Sequence, residues 1–563
     1  MKKIFLIITI SAVLFSCKKS WLDVSPKGTL SEAQVAENPD GLVNAAYAYL
    51  GNDHYTTPWS LWPYGNVRSG DAYKGGRDEA DIQEFHFGEI FINQRSDLGT
   101  IDGMWFQYYV AISRVNSALA NLNAKTDSEF PAKKQRIAEM RFLRAHWYFN
   151  LKILWKYVPF IDENVNANDY GSISNRELTN DELWEKIAED FQFAVDNLPT
   201  SQTQIGRPNK IAAQAYLAKT KLYQAYEQDE QHNVTRINND KLNQVVTLCD
   251  AVIASSYSLE PDFANNFING SYENGRESIF AVQFSKDDGT MFGRLNYGDV
   301  LSAPQGIGCC DFQKPSQNLA NAYKTGADGL PMFSTFNNSD LDANVNTIDP
   351  RLDHTVAMPG HIWKYDPNTV YQVSWNRSPD IYGTFASQKE NVKRAEYTQV
   401  GPFYANTKNK VLLRFADALL WKAEALIELG RHNDALALIN QVRTRAKNST
   451  SLLKLSNGNF ESNYKVETYQ PGVNCTWTQD FARQALRWER RLEFAMEGNR
   501  FFDLVRWGIA DTYLNNYFAG EKTKRAHLKD AKFTKNRDEY LPIPYQQIQF
   551  SRNLYKQNPG YTQ

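Results

Sequence analysis

Residues 411–446, VLLRFADALLWKAEALIELGRHNDALALINQVRTRA, contain the pattern that decides the fold. The spacing of their apolar residues predicts two helices, at 411–429 and 433–446. Gly430 stands at the C-cap position between them, and Ala435 is small enough for the helices to approach closely. The stretch therefore predicts a helical hairpin of the tetratricopeptide type.

The helical pattern continues on both sides of this hairpin. Residues 208–226 and 241–255 form a second candidate pair with a similar sequence. The clearest single helix is predicted at 132–157, where apolar residues recur at three- and four-residue steps until Pro159 ends the run. A last long helix is predicted at 485–508. These segments indicate an all-α fold built from tetratricopeptide-like helical pairs.

Helical periodicity fades between residues 257 and 405, where Gly, Pro, Asn, Asp and aromatic residues dominate. So long a stretch inside a folded chain is disordered or consists of functional loops, and its Trp and Tyr content argues against disorder. We therefore expect a large loop-rich, ligand-facing lobe at 257–405, an N-terminal helical region at 17–256 and a C-terminal helical region at 406–563. Residues 1–16 are treated separately as a signal segment.

The N-terminus predicts export and lipidation. A basic start, MKK, precedes an apolar run at 4–15, and Cys17 follows Ser16 as in a bacterial lipobox. We expect the thiol of Cys17 to be acylated and to anchor the mature chain in the outer membrane; the alternative is an ordinary signal peptide with an accidental cysteine. The segment is too short to span a bilayer as a helix.

Composition excludes several classes of function. A net charge of −2 gives no reason to expect a nucleic-acid partner, which would call for a basic patch. The five cysteines show no spacing of a metal site or disulfide framework, so we expect no metal and no cofactor. The aromatic content of 13%, with 13 Trp and 30 Tyr, supplies ample material for surfaces that stack on sugars.

Catalytic motifs are lacking in the sequence, which contains no HExxH, no GxSxG and no phosphate-binding loop. Glu489, Glu493 and Glu497 fall on one face of the last long helix among several arginines. A carboxylate pair for glycoside hydrolysis is one interpretation. Paired, partly buried charges that hold the helix in place are the better one, and we expect the protein not to be an enzyme.

Short motifs along nearly the whole chain resemble those of one protein family. They are Cys17 with WLD at 21–23, WFQYYVAISRVN at 105–116, AEMRFLRAHWYF at 138–149 leading to VP at 158–159, DPRLD at 349–353, LRFAD at 413–417, NQVRTRA at 440–446, EGNRFFDLVRWG at 497–508, LPIP at 541–544 and QNPGY at 557–561. In this order they resemble the SusD/RagB family of outer-membrane lipoproteins. Met140 and Asp417 depart from the Ala and Glu that are commoner in the family.

The resemblance implies a SusD-like fold and a surface-exposed, lipid-anchored lid on a SusC-like TonB-dependent transporter. It implies that an oligosaccharide or polysaccharide is captured without catalysis and delivered to that partner. Three alternatives stay open: an oligopeptide-binding lid of a RagA-like transporter, a surface glycoside hydrolase, and a structural lid that binds nothing.

A glycan site needs a flat aromatic ring for the sugar face and charged or amide groups for the hydroxyl rim. Three loops, at 59–77, 306–311 and 361–404, are rich in both. The candidate residues are Trp62, Tyr64 and Asp71 in the first loop, Cys309 and Cys310 in the second, and Trp363, Trp375, Arg377, Tyr382 and Tyr404 in the third. Cys309 and Cys310 form either a vicinal disulfide, which would make a rigid ledge, or a pair of buried thiols.

Overall fold

The computed structural model describes residues 37–289 and 294–562 of the chain. The predicted signal segment and Cys17 lie outside the described residues, so the structure says nothing of them. None of the helices within those two ranges combines the length and the hydropathy that crossing a bilayer requires.

Helices provide the framework of the described chain. They are α1 (Pro39–Ala48), α2 (Gln83–Ile90), α3 (Gly99–Asn123), α4 (Lys133–Trp155), α5 (Asn180–Asn197), α6 (Lys210–Ala225), α7 (Asn239–Ile253), α8 (Gln317–Ala322), α9 (Arg351–Thr355), α10 (Pro379–Tyr382), α11 (Phe415–Glu428), α12 (His432–Asn448), α13 (Gln479–Glu493), α14 (Arg500–Arg506), α15 (Ala510–Glu521) and α16 (Tyr545–Phe550). The prediction of a helical, tetratricopeptide-like fold is confirmed.

Strands are short and pair only two at a time in the described residues. They are β1 (Ala72–Gly75) with β5 (Phe312–Pro315), β2 (Tyr226–Gln228) with β3 (Val234–Ile237), β4 (Ser278–Val282) with β13 (Lys410–Arg414), β6 (Thr347–Ile348) with β14 (Asn463–Tyr464), β7 (Val356–Ala357) with β10 (Ala386–Ser387), β8 (Ile362–Trp363) with β9 (Asp366–Val370), and β11 (Thr398–Val400) with β12 (Phe403–Ala405). Most of them lie in the loop-rich part, where they tie distant loops together.

The long helices pack side by side in chain order, α3 on α4, α4 on α5, α5 on α6 and α6 on α7. The row then continues with α11, which packs against α7, and with α12 and α13, which both contact α11. The loop-rich segment therefore leaves the row after α7 and returns to it at α11. Each helix buries an apolar stripe against its neighbour, as helical repeats do.

The predicted helix at 411–429 begins later than expected. Residues 410–414 form β13, which pairs antiparallel with β4, and the helix starts at Phe415. A run of Val and Leu suits a strand as well as a helix, and the partner that decides between them lies more than 100 residues earlier in the sequence. The prediction that Gly430 ends the helix is confirmed, because Gly430 follows the end of the helix with a φ of +77°.

The predicted helix at 485–508 is interrupted. Helix α13 ends at Glu493 and α14 begins at Arg500. In the interruption Met496 and Gly498 have positive φ values. The backbone N–H of Gly498 donates to Oδ1 of Asn66 over 2.8 Å, and a Cβ on Gly65 would overlap the backbone of Gly498. Close contact with the turn at 63–67 therefore breaks the helix.

Three hydrophobic clusters lie inside the described chain. The largest runs from Val43 to Tyr555 and unites the N-terminal and C-terminal helices. A second lies under the loop-rich part and includes Trp62, Phe312 and Leu352. The third is small and consists of Ile307, Ala357, Trp363, Tyr371, Trp375 and Ala386. It brings two of the three predicted binding loops together.

Glu489 and Glu493 of α13 are buried, Glu497 in the turn after it is partly buried, and all three are paired with cations, as the sequence predicts. Glu489, Glu493 and Glu497 form ion pairs with Arg351, Arg443, Arg414, Arg445 and Lys389. The side chains of Glu489 and Glu493 have no exposed surface. These ion pairs hold α13 against its neighbours.

Candidate functional site

The candidate residues of the first loop lie in the interior. Trp62 is 1% exposed and packs edge-on against Phe85. Tyr64 is 5% exposed in the main core. The carboxylate of Asp71 is buried 2.8 Å from the guanidinium of Arg491. The expectation that these three side chains meet a ligand is corrected, because the aromatic residues of this loop fill the cores under both parts of the chain.

Two candidates of the third loop are also interior residues. Trp363 has no exposed surface, and its indole N–H donates to the carbonyl of Val392 over 2.9 Å. Tyr382 is 1% exposed, with its ring 4.8 Å from that of His527. Neither ring offers a face to a sugar, so these two assignments are corrected as well.

The second and third loops meet at two glycines. A Cβ on Gly306 would overlap the indole of Trp375, and a Cβ on Gly308 would overlap the ring of Tyr404. Gly308 has a φ of +155°, which favours glycine. The second loop therefore passes closely over both rings. Trp375 keeps 9% of its surface exposed and Tyr404 is half-buried.

Cys309 and Cys310 form a vicinal disulfide in the structure. Of the two interpretations that the sequence left open, the structure has the disulfide and not the pair of thiols. Cys310 is 5% exposed and belongs to the second cluster, whereas Cys309 is half-buried. The linked pair lies directly after Gly308, at the edge of the two rings. We call the surface formed by residues 306–310, Trp375, Arg377 and Tyr404 the loop patch.

Asp311 fixes the backbone next to Trp375. Its carboxylate accepts from the N–H of Arg377 over 2.8 Å and from Nζ of Lys314 over 2.7 Å. Burial raises the pKa of Asp311 and lowers the pKa of Lys314, and the attraction between the two opposes both shifts. Because Lys314 also donates to Asn376, one buried cation joins the second loop to the third.

Charged groups surround the loop patch. The guanidinium of Arg377 lies 3.1 Å from the carboxylate of Asp81 and is about one-third exposed. The hydroxyl of Ser378 donates to the carbonyl of Arg77 over 2.6 Å. The guanidinium of Arg394 lies 6.0 Å from the centre of the Trp375 ring. Sequence reasoning missed Asp81 and Arg394; the charged run RDEAD after Gly75-Gly76 was the only local signal for the first of them.

A second group of rings lies at the surface and includes Phe403, the residue before Tyr404. Tyr55 contacts Phe403 at 5.0 Å between ring centres, Tyr297 contacts Phe403 at 5.6 Å, and His54 contacts Tyr55 at 4.2 Å. All four rings are exposed or half-buried. The sequence gives no sign of this group, because its members come from three distant segments.

The arrangement suits binding of a polar, ring-shaped ligand. The half-buried ring of Tyr404, with the 9% of Trp375 that stays exposed, offers apolar surface, and the guanidinium and carboxylate groups beside them can donate to and accept from hydroxyls. Glycine at positions 306 and 308 lets the second loop pack directly on the two rings. No paired exposed carboxylates occur among the residues of the loop patch.

Comparison with known proteins identifies the family. The sequence model of the SusD family matches residues 276–561, and a second model, described as starch-binding associating with outer membrane, matches residues 20–222. Because the first match alone covers half of the chain, the chain belongs to the SusD family.

Relatives match over most of their length. SusD-like protein P2 of Formosa agariphila is 25% identical over 98% of both chains. The starch-binding protein SusD of Bacteroides thetaiotaomicron is 24% identical over 80% of this chain and 76% of its own.

Solved structures confirm the fold. A SusD superfamily protein from Bacteroides vulgatus has a TM-score of 0.68 and 21% identity, covering 93% of this chain and 99% of its own. Surface glycan-binding protein A from B. thetaiotaomicron, in complex with laminarihexaose, has a TM-score of 0.65 and 20% identity with the same coverage.

Proposed function

We propose that this protein is a non-catalytic glycan-binding lipoprotein of the bacterial outer membrane. It holds an oligosaccharide or polysaccharide at the loop patch and delivers it to a SusC-like TonB-dependent transporter. The observation that carries the proposal is the meeting of the Cys309–Cys310 loop with Trp375 and Tyr404, with Arg377 beside them. This is the kind of surface on which a sugar ring stacks while charged groups bind its hydroxyls.

The comparisons support a glycan ligand. Among the relatives and structural neighbours are a starch-binding protein, a laminarin-binding SusD-like protein and a surface glycan-binding protein in complex with laminarihexaose. At about 20–25% identity they support the ligand class and leave the identity of the sugar open.

The buried state of the acidic residues supports a role without catalysis. Glycoside hydrolysis needs two carboxyl groups on either side of the scissile bond. The interleaved carboxylates that suggested this chemistry are engaged with arginines inside the protein. The outer-membrane location is supported by the description of the second family model and by the lipobox that ends in Cys17. Delivery to a transporter is tested by co-purification of the native protein in mild detergent.

Calorimetry with single variants tests the glycan site. After a glycan array has identified a ligand, Trp375→Ala and Tyr404→Ala should each weaken its binding by about 2 kcal/mol, roughly 30-fold, since a few rings usually dominate such interfaces. Arg377→Ala should weaken it through the lost contacts to hydroxyls. Val373→Ala is the matched control, because Val373 is 52% exposed on the same segment.

Melting temperatures show whether each variant is folded. Glycan affinity that stays at the wild-type level in all three folded site variants would place the ligand elsewhere. An array that finds no glycan, together with calorimetric binding of oligopeptides, would replace the proposed function with peptide capture.

A further inference from the structure

Three side chains from distant segments converge outside the loop patch. They are Asp353 on α9, His361 just before β8, and Glu461 just before β14. Each can offer one ligand atom, and these three atoms lie within 4.8 Å of one another. Nδ1 of His361 lies 2.9 Å from Oδ1 of Asp353 and 3.4 Å from Oε2 of Glu461.

Hydrogen bonding within the protein leaves this cluster incomplete. The side chain of Glu461 is 1% exposed, and neither of its oxygens accepts a hydrogen bond. The nearest donor, Nδ1 of His361, carries at most one proton and lies closer to Asp353. With both carboxylates ionised, even a charged imidazolium between them leaves a net charge of −1 in a buried place. A buried carboxylate without a partner is costly, and a bound cation would relieve that cost.

The surroundings hold Asp353 in position. Its Oδ2 accepts from the hydroxyls of Ser462 over 2.8 Å and Tyr464 over 2.7 Å. Oδ1 of Asp353 accepts neither of these two hydrogen bonds, so it can bind an ion together with His361 and Glu461. Hydrogen bonds of this kind orient the ligands of metal sites. His361 has a side chain that is 13% exposed, so an ion can enter from solvent at this side.

We propose that Asp353, His361 and Glu461 bind a divalent transition metal of the zinc class. A dication with two carboxylates and a neutral imidazole makes the buried cluster neutral and gives Glu461 its partner. Four ligands around zinc at about 2.0–2.2 Å stand about 3.4 Å apart. Nδ1 of His361 lies 2.9 Å from the Asp353 oxygen and 3.4 Å from the Glu461 oxygen, and all three atoms lie within 4.8 Å of one another. Three protein ligands leave the fourth position to water. Ca²⁺ takes six to eight oxygens and Mg²⁺ an octahedral set, which this cluster does not offer.

The site would join three parts of the chain. The backbone carbonyl of His361 accepts from the N–H of Tyr371, so the histidine also holds the β8–β9 hairpin. Glu461 is held through its N–H by the carbonyl of Leu453. A bound ion therefore clamps this hairpin and the segment before β14 onto α9.

Zinc titration of the purified protein, after dialysis against EDTA, tests the proposal. Calorimetry should show one Zn²⁺ per chain bound at this site, a raised melting temperature and no competition from Ca²⁺ or Mg²⁺. Glu461→Gln and His361→Asn should each weaken this binding roughly 100-fold or more. Glu467→Gln is the matched control, since Glu467 is an exposed acid on the same segment that pairs with Lys447 instead.

Each outcome decides the question. Melting curves recorded in EDTA first show that the variants fold. Glu461→Gln keeps the shape of the side chain, and His361→Asn tests a second ligand of the same site independently. X-ray absorption of the zinc form should give one nitrogen and otherwise oxygen neighbours. No zinc uptake by the wild type, or equal uptake by the wild type and both variants, would overturn the proposal, and the second result would place the zinc on other residues.

Discussion

Gly308 has no side chain where the ring of Tyr404 lies, and its φ of +155° favours glycine. Gly308→Ala should therefore displace the ring and weaken glycan binding by roughly 1–2 kcal/mol, since a strained residue and a shifted anchor act together. Calorimetry with the glycan found on the array measures the effect.

Gly401→Ala is the control for the backbone. Gly401 has a φ of +61°, but a Cβ there would meet nothing within 4 Å. It should place an alanine at a positive φ, which strains the backbone, without moving a ring. Equal affinities of the two variants would mean that the contact between Gly308 and Tyr404 has no part in binding.

Prediction from sequence reached only part of the site at this scale. The sequence identified Trp375, Arg377 and Tyr404 as candidates, and the structure brings them together. It identified Trp62 and Trp363 equally, and both are buried. The composition of a loop shows that it contains aromatic and charged residues. Whether an aromatic ring is buried depends on which distant segment of the chain packs on it.

Helix α13 is held by buried ion pairs, and Glu493 contacts three arginines, Arg351, Arg414 and Arg445. Its pKa lies well below the usual range, because the three guanidinium groups outweigh the effect of burial. Glu493→Gln leaves buried cations without their anion and should lower the free energy of unfolding by about 3–5 kcal/mol.

Urea unfolding measures this loss. Glu428→Gln is the matched control, because Glu428 pairs with the partly exposed Arg483 and should lose about 1 kcal/mol or less. A similar, small loss in both variants would show that the Glu493 cluster adds little to stability.

Helix α4 carries a buried histidine that should make the fold sensitive to acid. Nδ1 of His146 lies 2.8 Å from the hydroxyl of Tyr216, and Nε2 lies 3.3 Å from the amide nitrogen of Asn150. The amide donates, so the imidazole is neutral with its proton on Nδ1. Burial, with a smaller contribution from Lys219, lowers the pKa of His146 to about 3.

The unfolded chain binds a proton at this imidazole below pH ~6.5, whereas the folded chain does so only near pH 3. The contribution of His146 to the free energy of unfolding is therefore present above pH ~6.5. It is lost as the pH falls, by about 3 kcal/mol between pH 7 and pH 4. His146→Gln should be less stable at pH 7 but should lose less on acidification. Urea unfolding at both pH values checks this, and parallel losses in the two proteins would contradict it.

Helices could be predicted from the sequence where the local pattern of apolar residues determines them. The helix expected at 132–157 is α4, within two residues at each end, because its apolar stripe and Pro159 are local signals. The strand β13 and the break after α13 were not predicted. Both depend on contacts with residues far away in sequence, β4 in the first case and the turn at 63–67 in the second.

At the scale of the whole molecule, the row of helices spans both helical regions, and the loop-rich part is built onto it. The order of the motifs allowed the SusD-like fold to be recognised from sequence, because those motifs belong mainly to the scaffold. Arg351 in DPRLD, Arg414 in LRFAD, Arg443 and Arg445 in NQVRTRA and Glu497 in EGNRFFDLVRWG meet in one buried charge network. Motifs that build the scaffold predict the fold well and the ligand poorly.

The proposed anchoring at Cys17 belongs to the scale of the whole molecule and can be tested separately from folding. The described hydrophobic clusters are formed by residues from Leu42 onward, and Cys17 lies outside the described residues. Several acyl chains on one residue hold a protein firmly in a membrane. Cys17→Ser should therefore move the protein from the outer-membrane fraction to the soluble fraction with an unchanged melting temperature.

Cys475→Ser is the matched control for this experiment, because Cys475 is a half-buried free cysteine within the fold. It should stay with the membrane as the wild type does. Washing at high salt separates lipid anchoring from charge-mediated attachment, since salt screens exposed charges and leaves buried acyl chains in place. If the Cys17→Ser protein remained in the outer membrane after that wash, attachment would come from the folded part of the chain, either through a partner protein or through its own surface.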